Sequence, residues 1–243
     1  MEEKEIKRVV KEDYSSVART CCGCCKKKES EQISRSIGYS KEEIERVPEA
    51  NLGLGCGNPT SLAMIKEGDV VLDLGSGAGF DVFLAAKKVG ENGKVIGVDF
   101  SEEMIKKARG NALKYNYKNT EFMLGDIEDL PVEDSSIDLV ISNCVINLVP
   151  DKGNVFKEVY RVLKSGGKMF VSDIVLLGEL TEEQKNNREL ISGCVAGALQ
   201  KEDYIEKIVN AGFEVRILGE DKDISKRQYE GILLESLKIE AIK

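Results

Sequence analysis

Residues 70–79 read Val70-Val71-Leu72-Asp73-Leu74-Gly75-Ser76-Gly77-Ala78-Gly79. An apolar run of strand length passes directly into a turn holding three glycines. An amphipathic stretch, Phe80 to Val89, follows. Strand, tight turn and helix in that order make the first unit of a parallel sheet that binds its ligand beyond the strand ends. Glycine permits the turn and lets a ligand approach the backbone closely. The spacing is G-x-G-x-G. The nicotinamide fingerprint needs G-x-G-x-x-G, and position 80 is Phe.

The pattern continues downstream. Lys94 to Asp99, Glu121 to Leu124, Ile137 to Ser142 and Lys168 to Ile174 read as further buried strands. Helical spacing fills Glu102 to Tyr115, with Ser101 as N-cap, and Lys152 to Leu163. This alternation predicts an α/β, Rossmann-like, doubly wound sheet. Its end differs. A helix from Lys201 to Ala211 closes at Gly212, and Glu214 to Leu218 and Ile232 to Ala241 then follow as strands with no helix between them. These should form an antiparallel hairpin at one edge of a seven-stranded, mostly parallel sheet.

Upstream, residues 1–68 read as a helical, cysteine-rich extension that contributes to an active-site lid, and 69–243 as the sheet domain. An insert around 176–200 lies over the rim of the sheet. Glu5 to Arg19 has helical spacing, which Cys21 to Cys25 interrupts. Ser40 and Glu43 form a capping box, and that short helix should stop near Pro48. Asn51 to Pro59 is glycine-rich and reads as a loop, as does the solvated run Lys26 to Lys28.

The formal net charge of −8 argues against nucleic acid and against an anionic membrane surface as partners. No segment is long and apolar enough to span a bilayer, and the charged start from Glu2 lacks a signal-peptide core. A cytoplasmic location is expected, with the seven cysteines mostly reduced. Nothing demands more than a monomer. Histidine is absent, which removes the commonest general base and the commonest metal ligand.

Acidic residues mark the ligand crevice. Asp73 lies two residues before Gly75, where a carboxylate can meet a cationic amino group. Asp99 ends the second strand, where it can take both hydroxyls of a ribose. After the third strand, Asp126 can accept from an adenine amino group while Ile127 packs on its ring. With Gly75, Ser76 and Gly77 in the turn, and with Phe100 and Asn143 at the neighbouring strand ends, these residues form the expected cofactor set. They resemble the class I S-adenosylmethionine methyltransferases over about Lys66 to Lys243. That resemblance implies seven strands with the last pair antiparallel and S-adenosylmethionine as methyl donor.

A free cysteine is most often a small buried hydrophobe. Three contexts here suggest more. Cys144 follows the fourth strand, at the end where ligands bind. Cys56 sits in the glycine loop Gly53-Leu54-Gly55-Cys56-Gly57, which has little reason to bury a side chain. Cys194 lies in the insert, over the same rim. Their separation in sequence does not fit a zinc knuckle. Three converging thiolates would suit a soft trivalent centre such as arsenic(III), bound as a pyramid with its lone pair free. A nucleophile of that kind carries no proton and needs no general base.

At these residues the chain resembles the arsenite methyltransferase family, through Gly55-Cys56-Gly57, Asp129-Leu130-Pro131, Ser142-Asn143-Cys144, Val171-Ser172-Asp173-Ile174 and Cys194-Val195-Ala196-Gly197-Ala198. The resemblance implies arsenic on Cys56, Cys144 and Cys194, arsenite and methylated arsenicals as substrates and products, and a thiol reductant such as thioredoxin or a small thiol. It also implies a redox-active N-terminal cysteine, for which Cys21, Cys22, Cys24 and Cys25 are all candidates, and a tyrosine over the cofactor, here Tyr14. Two other readings stay open: methylation of a small organic acceptor such as a quinone precursor, and a thiol-based metalloid-binding protein without turnover.

Overall fold

The computed structural model describes residues 3–20, 24–229 and 231–243. One seven-stranded sheet organises them. Its strands are β1 (Val70–Leu74), β2 (Lys94–Asp99), β3 (Thr120–Leu124), β4 (Ile137–Asn143), β5 (Leu163–Leu176), β6 (Glu214–Asp221) and β7 (Leu234–Ile242), in the order β3-β2-β1-β4-β5-β7-β6. Only β7 runs against its neighbours, β5 and β6. The chain moves outward from β1 through β2 to β3 and then returns to β4 on the other side of β1. That reversal opens a crevice at the carboxyl ends of β1 and β4.

Alternation along each strand builds two buried layers. Leu72, Leu74, Ile96, Val98 and Val140 face one way, toward Phe156 and Val159 of a helix over Lys152–Val162 and Tyr204 and Ile208 of a helix over Lys201–Asn210. Val71, Val95, Leu139 and Ile141 face the other way, toward Val82, Phe83 and Ala86 of the helix over Phe80–Val89. A third cluster sits over the rim. It holds Val9, Val10, Ile37, Tyr39 and Ile44 from the N-terminal part, Ile191 and Val195 from the insert, and all three candidate arsenic-site cysteines.

The N-terminal part contains α1 (Glu3–Thr20), α2 (Cys24–Ser36), α3 (Lys41–Arg46) and α4 (Pro59–Leu62). Ser40 and Glu43 form the expected capping box on α3. Lys26 to Lys28 belong to α2 and not to a loop, because the run continues into helix-forming Glu29 and Glu31. The helix over Phe80–Val89 is α5, and α6 (Glu102–Lys114) is capped by Ser101, whose Oγ accepts from the Met104 N–H. The helix over Lys152–Val162 is α7. The insert carries α8 (Glu182–Lys185) and α9 (Arg188–Ser192), and Lys201–Asn210 is α10.

Two expectations need correction. The terminal hairpin is present, but its connection is not free of helix: α11 (Ile224–Arg227) lies in it and buries Ile224 in the rim cluster. β5 starts at Leu163, five residues early, and its register against β4 shifts between Ile137 and Leu139. The Gly166-Gly167 pair lies in this irregularity inside the strand. No helix among the described residues is long and apolar enough to cross a membrane.

Candidate active site

The turn after β1 holds Gly75 at φ 63°. A Cβ there would lie 2.3 Å from Val145 Cγ2, so only glycine fits. The Gly77 N–H donates to Asp99 Oδ2 at 2.9 Å, and the Ser101 N–H donates to Asp99 Oδ1 at 2.9 Å. Each Asp99 oxygen therefore keeps lone pairs for a diol. Above this turn lies a cavity of about 770 Å³, lined by Asp73, Gly75, Ser76, Gly77, Asp99, Phe100 and Asn143 of the expected cofactor set, and also by Tyr14 and Cys144. An adjoining apolar pocket of about 380 Å³ shares Gly75, Asp99 and Phe100 with it and adds Asp126 and Ile127.

Three buried carboxylates, Asp73, Asp81 and Asp99, face the larger cavity, and among the described residues no Lys or Arg lines it. Burial pushes the Asp99 carboxyl up to about 6. Burial also raises Asp81 to about 6, against the pull of Tyr39 and Asn143. Asp73 is pushed well above the usual range by burial and by the charges of Asp81 and Asp99. Such a cavity suits a ligand with a cationic end. The ammonium and sulfonium of S-adenosylmethionine meet that demand, and its adenine suits the apolar pocket beside Ile127.

These shifts have a sign. A carboxyl raised on folding stabilises the protein below its unfolded pKa, and that contribution is lost as pH rises through the folded value. Ligand-free protein should therefore resist urea better at pH 5.5 than at pH 7.5. Carboxylates held low by cations, such as Glu158 beside Arg161, act only at more acid pH. Asp73→Asn, which removes one of these buried charges without setting an amide N–H against a backbone N–H, should stabilise ligand-free protein at pH 7.5 and flatten this pH dependence. An unchanged urea midpoint at both pH values would contradict the electrostatic account.

The thiols meet at the rim beside this cavity. Cys56, Cys144 and Cys194 are free and buried. The Cys144 sulfur neighbours those of Cys56 and Cys194, because three backbones are pinned there. The Cys144 N–H donates to Ser172 O at 2.8 Å, which ends the β4–β5 ladder. Asn143 Oδ1 accepts from the Cys56 N–H at 3.1 Å and the Gly57 N–H at 3.3 Å, while its Nδ2 donates to Gly57 O at 2.9 Å. A Cβ at Gly55 would lie 2.6 Å from Asn143 Nδ2, so glycine lets the loop close on this amide. The Cys194 thiol donates to Cys144 O at 2.6 Å.

Cys144 is the central thiol. Hydrogen bonds to Cys194 and Cys56, together with burial, hold its pKa well above the ordinary thiol range. Burial raises the Cys56 thiol as well. Cys144 and Cys194 both carry left-handed backbone, at φ 59° and 65°. A carboxylate oxygen of Asp173 and the sulfurs of Cys56 and Cys144 lie within 4.8 Å of one another. Tyr14 reaches the same place from α1: its hydroxyl donates to Ser192 O at 3.3 Å and contacts Cys194.

Comparison with known proteins fits this arrangement. Residues 65–212 match the family described as "Methyltransferase domain". An arsenite methyltransferase of Halobacterium salinarum is 44% identical over 87% of this chain and 58% of its own length. One from Mus musculus is 34% identical over 94% of this chain and 64% of its own. The crystal structure of an arsenic(III) S-adenosylmethionine methyltransferase from Chlamydomonas reinhardtii is 36% identical, covers 87% of this chain and 73% of that one, and superposes with a TM-score of 0.68. The chain belongs to the arsenic(III) S-adenosylmethionine methyltransferase family. It spans about three-fifths of the length of the two curated relatives.

Within this family member, several site residues carry no sequence motif. Tyr39 donates to Asp81 Oδ1 at 2.7 Å and accepts from Asn143 Nδ2 at 2.9 Å, which ties the N-terminal part to α5 and to the Cys56 loop. Asn143 was expected to touch the cofactor. It lines the cavity, and its amide is committed to Gly57, Tyr39 and Asp81, which ties down the Cys56 loop. Asp126 was expected to take the adenine amino group. One of its oxygens pairs with Lys7 at 2.6 Å, and the other accepts from the Glu128 N–H at 3.0 Å. Lys7 also pairs with Glu128, closing α1 over the apolar pocket. Cys21 and Cys22 lie outside the described residues; of Cys24 and Cys25 the structure describes the backbone at the start of α2.

Proposed function

We propose that the protein transfers methyl groups from S-adenosylmethionine to trivalent arsenic held by Cys56, Cys144 and Cys194, and so detoxifies arsenic. The observation that carries this reading is the meeting of three buried free thiols next to a carboxylate-lined cavity. Asp73 takes the donor's ammonium, Asp99 its ribose hydroxyls, and Ile127 its adenine face. The donor, when bound, supplies a methyl group on a positive sulfonium.

The thiols do the rest. The raised pKa of Cys56 and of Cys144 keeps those two thiols protonated near neutrality. Three thiols condensing with As(OH)3 form three As–S bonds and release three waters, so no proton is left over and no base is required. The pyramid leaves the arsenic lone pair free as the nucleophile. Around it the rim cluster excludes water through Tyr14, Ile191 and Val195. Methylation oxidises arsenic formally to the pentavalent state, so a thiol reductant must restore it. A reducing compartment such as the cytoplasm suits both needs. Cys21, Cys22, Cys24 and Cys25 are the candidate relay for that reduction.

The test is incubation of wild type with methyl-labelled S-adenosylmethionine, arsenite and excess reduced thiol. Label is expected in methylated arsenicals. A protein that binds the donor but labels only a demethylated quinone would overturn the substrate. Tight arsenite binding with no donor consumed would make it a metalloid-binding protein.

A further inference from the structure

The methionyl end of the donor carries an ammonium and a carboxylate on one carbon. The ammonium has Asp73. The carboxylate must avoid Asp73, Asp81 and Asp99, all buried in the same cavity. Among the described residues no lysine or arginine lines that cavity. Most of its side-chain donors are already committed. The Tyr14 hydroxyl donates to Ser192 O, the Tyr39 hydroxyl to Asp81, and the Asn143 amide to Gly57 and Asp81. The Ser76 hydroxyl has no partner but sits against Gly97, where an added Cβ would meet it at 2.7 Å.

Asn51 remains. It lines the cavity and is only 7% exposed. Its Oδ1 accepts from Ser34 Oγ at 2.8 Å and from the Gly53 N–H at 3.1 Å. The Gly53 N–H fixes the orientation of the amide, because a flip would set N–H against N–H, and the Ser34 hydroxyl, able to donate or accept, donates in that orientation. The Nδ2 atom is thereby left buried with no partner. Buried amide donors in folded proteins nearly always have acceptors. We infer that Asn51 Nδ2 is the donor that binds the carboxylate of the methionyl group, with the Gly53 N–H holding the amide in that sense.

This inference rests on S-adenosylmethionine as the donor and not on arsenic as the acceptor. It is tested by calorimetric titration of wild type, Asn51→Ala and Asn51→Asp with S-adenosylmethionine and with decarboxylated S-adenosylmethionine. Loss of one hydrogen bond to a charged group should raise the Kd of Asn51→Ala for S-adenosylmethionine about ten- to a hundredfold. The decarboxylated donor should bind wild type and Asn51→Ala alike. Asn51→Asp keeps the shape and both accepted hydrogen bonds but opposes two carboxylates, so it should bind the decarboxylated donor better than S-adenosylmethionine. Equal weakening of both donors in both variants would overturn the assignment, as would no change in either. Failure of wild type to bind S-adenosylmethionine at all would overturn the donor itself.

Discussion

Cys144→Ser is expected to lower methylarsenical formation by about a thousandfold, roughly 4 kcal/mol of transition-state stabilisation, with the Kd for S-adenosylmethionine unchanged. The reason is the central place of this thiol. Cys144 contacts both Cys56 and Cys194, so its loss breaks the pyramid at its shared edge. Serine is nearly isosteric and keeps the backbone position at the end of β4. It offers a hard hydroxyl that binds trivalent arsenic poorly. In the proposed donor site the holding atoms are others, chiefly those of Asp73, Asp99 and the turn at Gly75, which line the cavity. Product formation and donor binding, measured on the same preparation, therefore separate. Arsenical product at the wild-type rate would remove the three-thiol reading and leave the donor site untouched.

Gly75→Ala should cripple donor binding, with a Kd at least about a hundredfold higher, and should destabilise the ligand-free protein by about 2–4 kcal/mol. Two effects add. The residue sits at φ 63°, where a Cβ strains the backbone, and that Cβ would stand 2.3 Å from Val145 Cγ2. Val145 lines both the cavity and the apolar pocket and follows Cys144 directly. Relief of the clash thus displaces the wall shared by donor and thiols. Gly77→Ala is the natural comparison. It has φ 51°, but an added Cβ finds only Met104 Sδ, at 4.0 Å. Its cost in the ligand-free protein should be backbone strain alone, about 1–2 kcal/mol. Chemical unfolding of the two variants checks the difference. Equal losses would mean that packing against Val145 contributes nothing.

The strands were legible because each is a short apolar run bounded by glycine, proline or charge, and β1 and β2 appear at their expected limits. Weaker signals misled. α11 is four residues long in a polar connection, and only burial of Ile224 shows why the chain turns there. The early start of β5 depends on pairing with Ile137, which no local pattern announces. At the site, residues with a chemical signature could be picked out singly: three cysteines, two aspartates at strand ends, and a glycine turn. Their partners could not. Tyr39 and Asp81 converge on Asn143 from positions 39 and 81, and the amide of Asn51 stands out only after the neighbouring side-chain donors have been accounted for. Hydrogen-bond partnership between distant residues leaves no period and no spacing to read.

The backbone at Cys144 and Cys194 bears on how this molecule ages under mutation. Left-handed φ costs a residue with a Cβ about 1–2 kcal/mol relative to glycine. Cys56 does not share that geometry. At two of the three thiol positions, then, the residue the main chain favours is glycine, and relief of strain there offsets the packing lost with the sulfur. What keeps cysteine there against the preference of the main chain is packing in the rim cluster, the Cys194 thiol's hydrogen bond to Cys144 O, and the chemistry proposed for the pair. Were the proposed acceptor chemistry no longer needed, the backbone itself would ease glycine into these two positions, and the sheet that carries the donor crevice would be left for another acceptor.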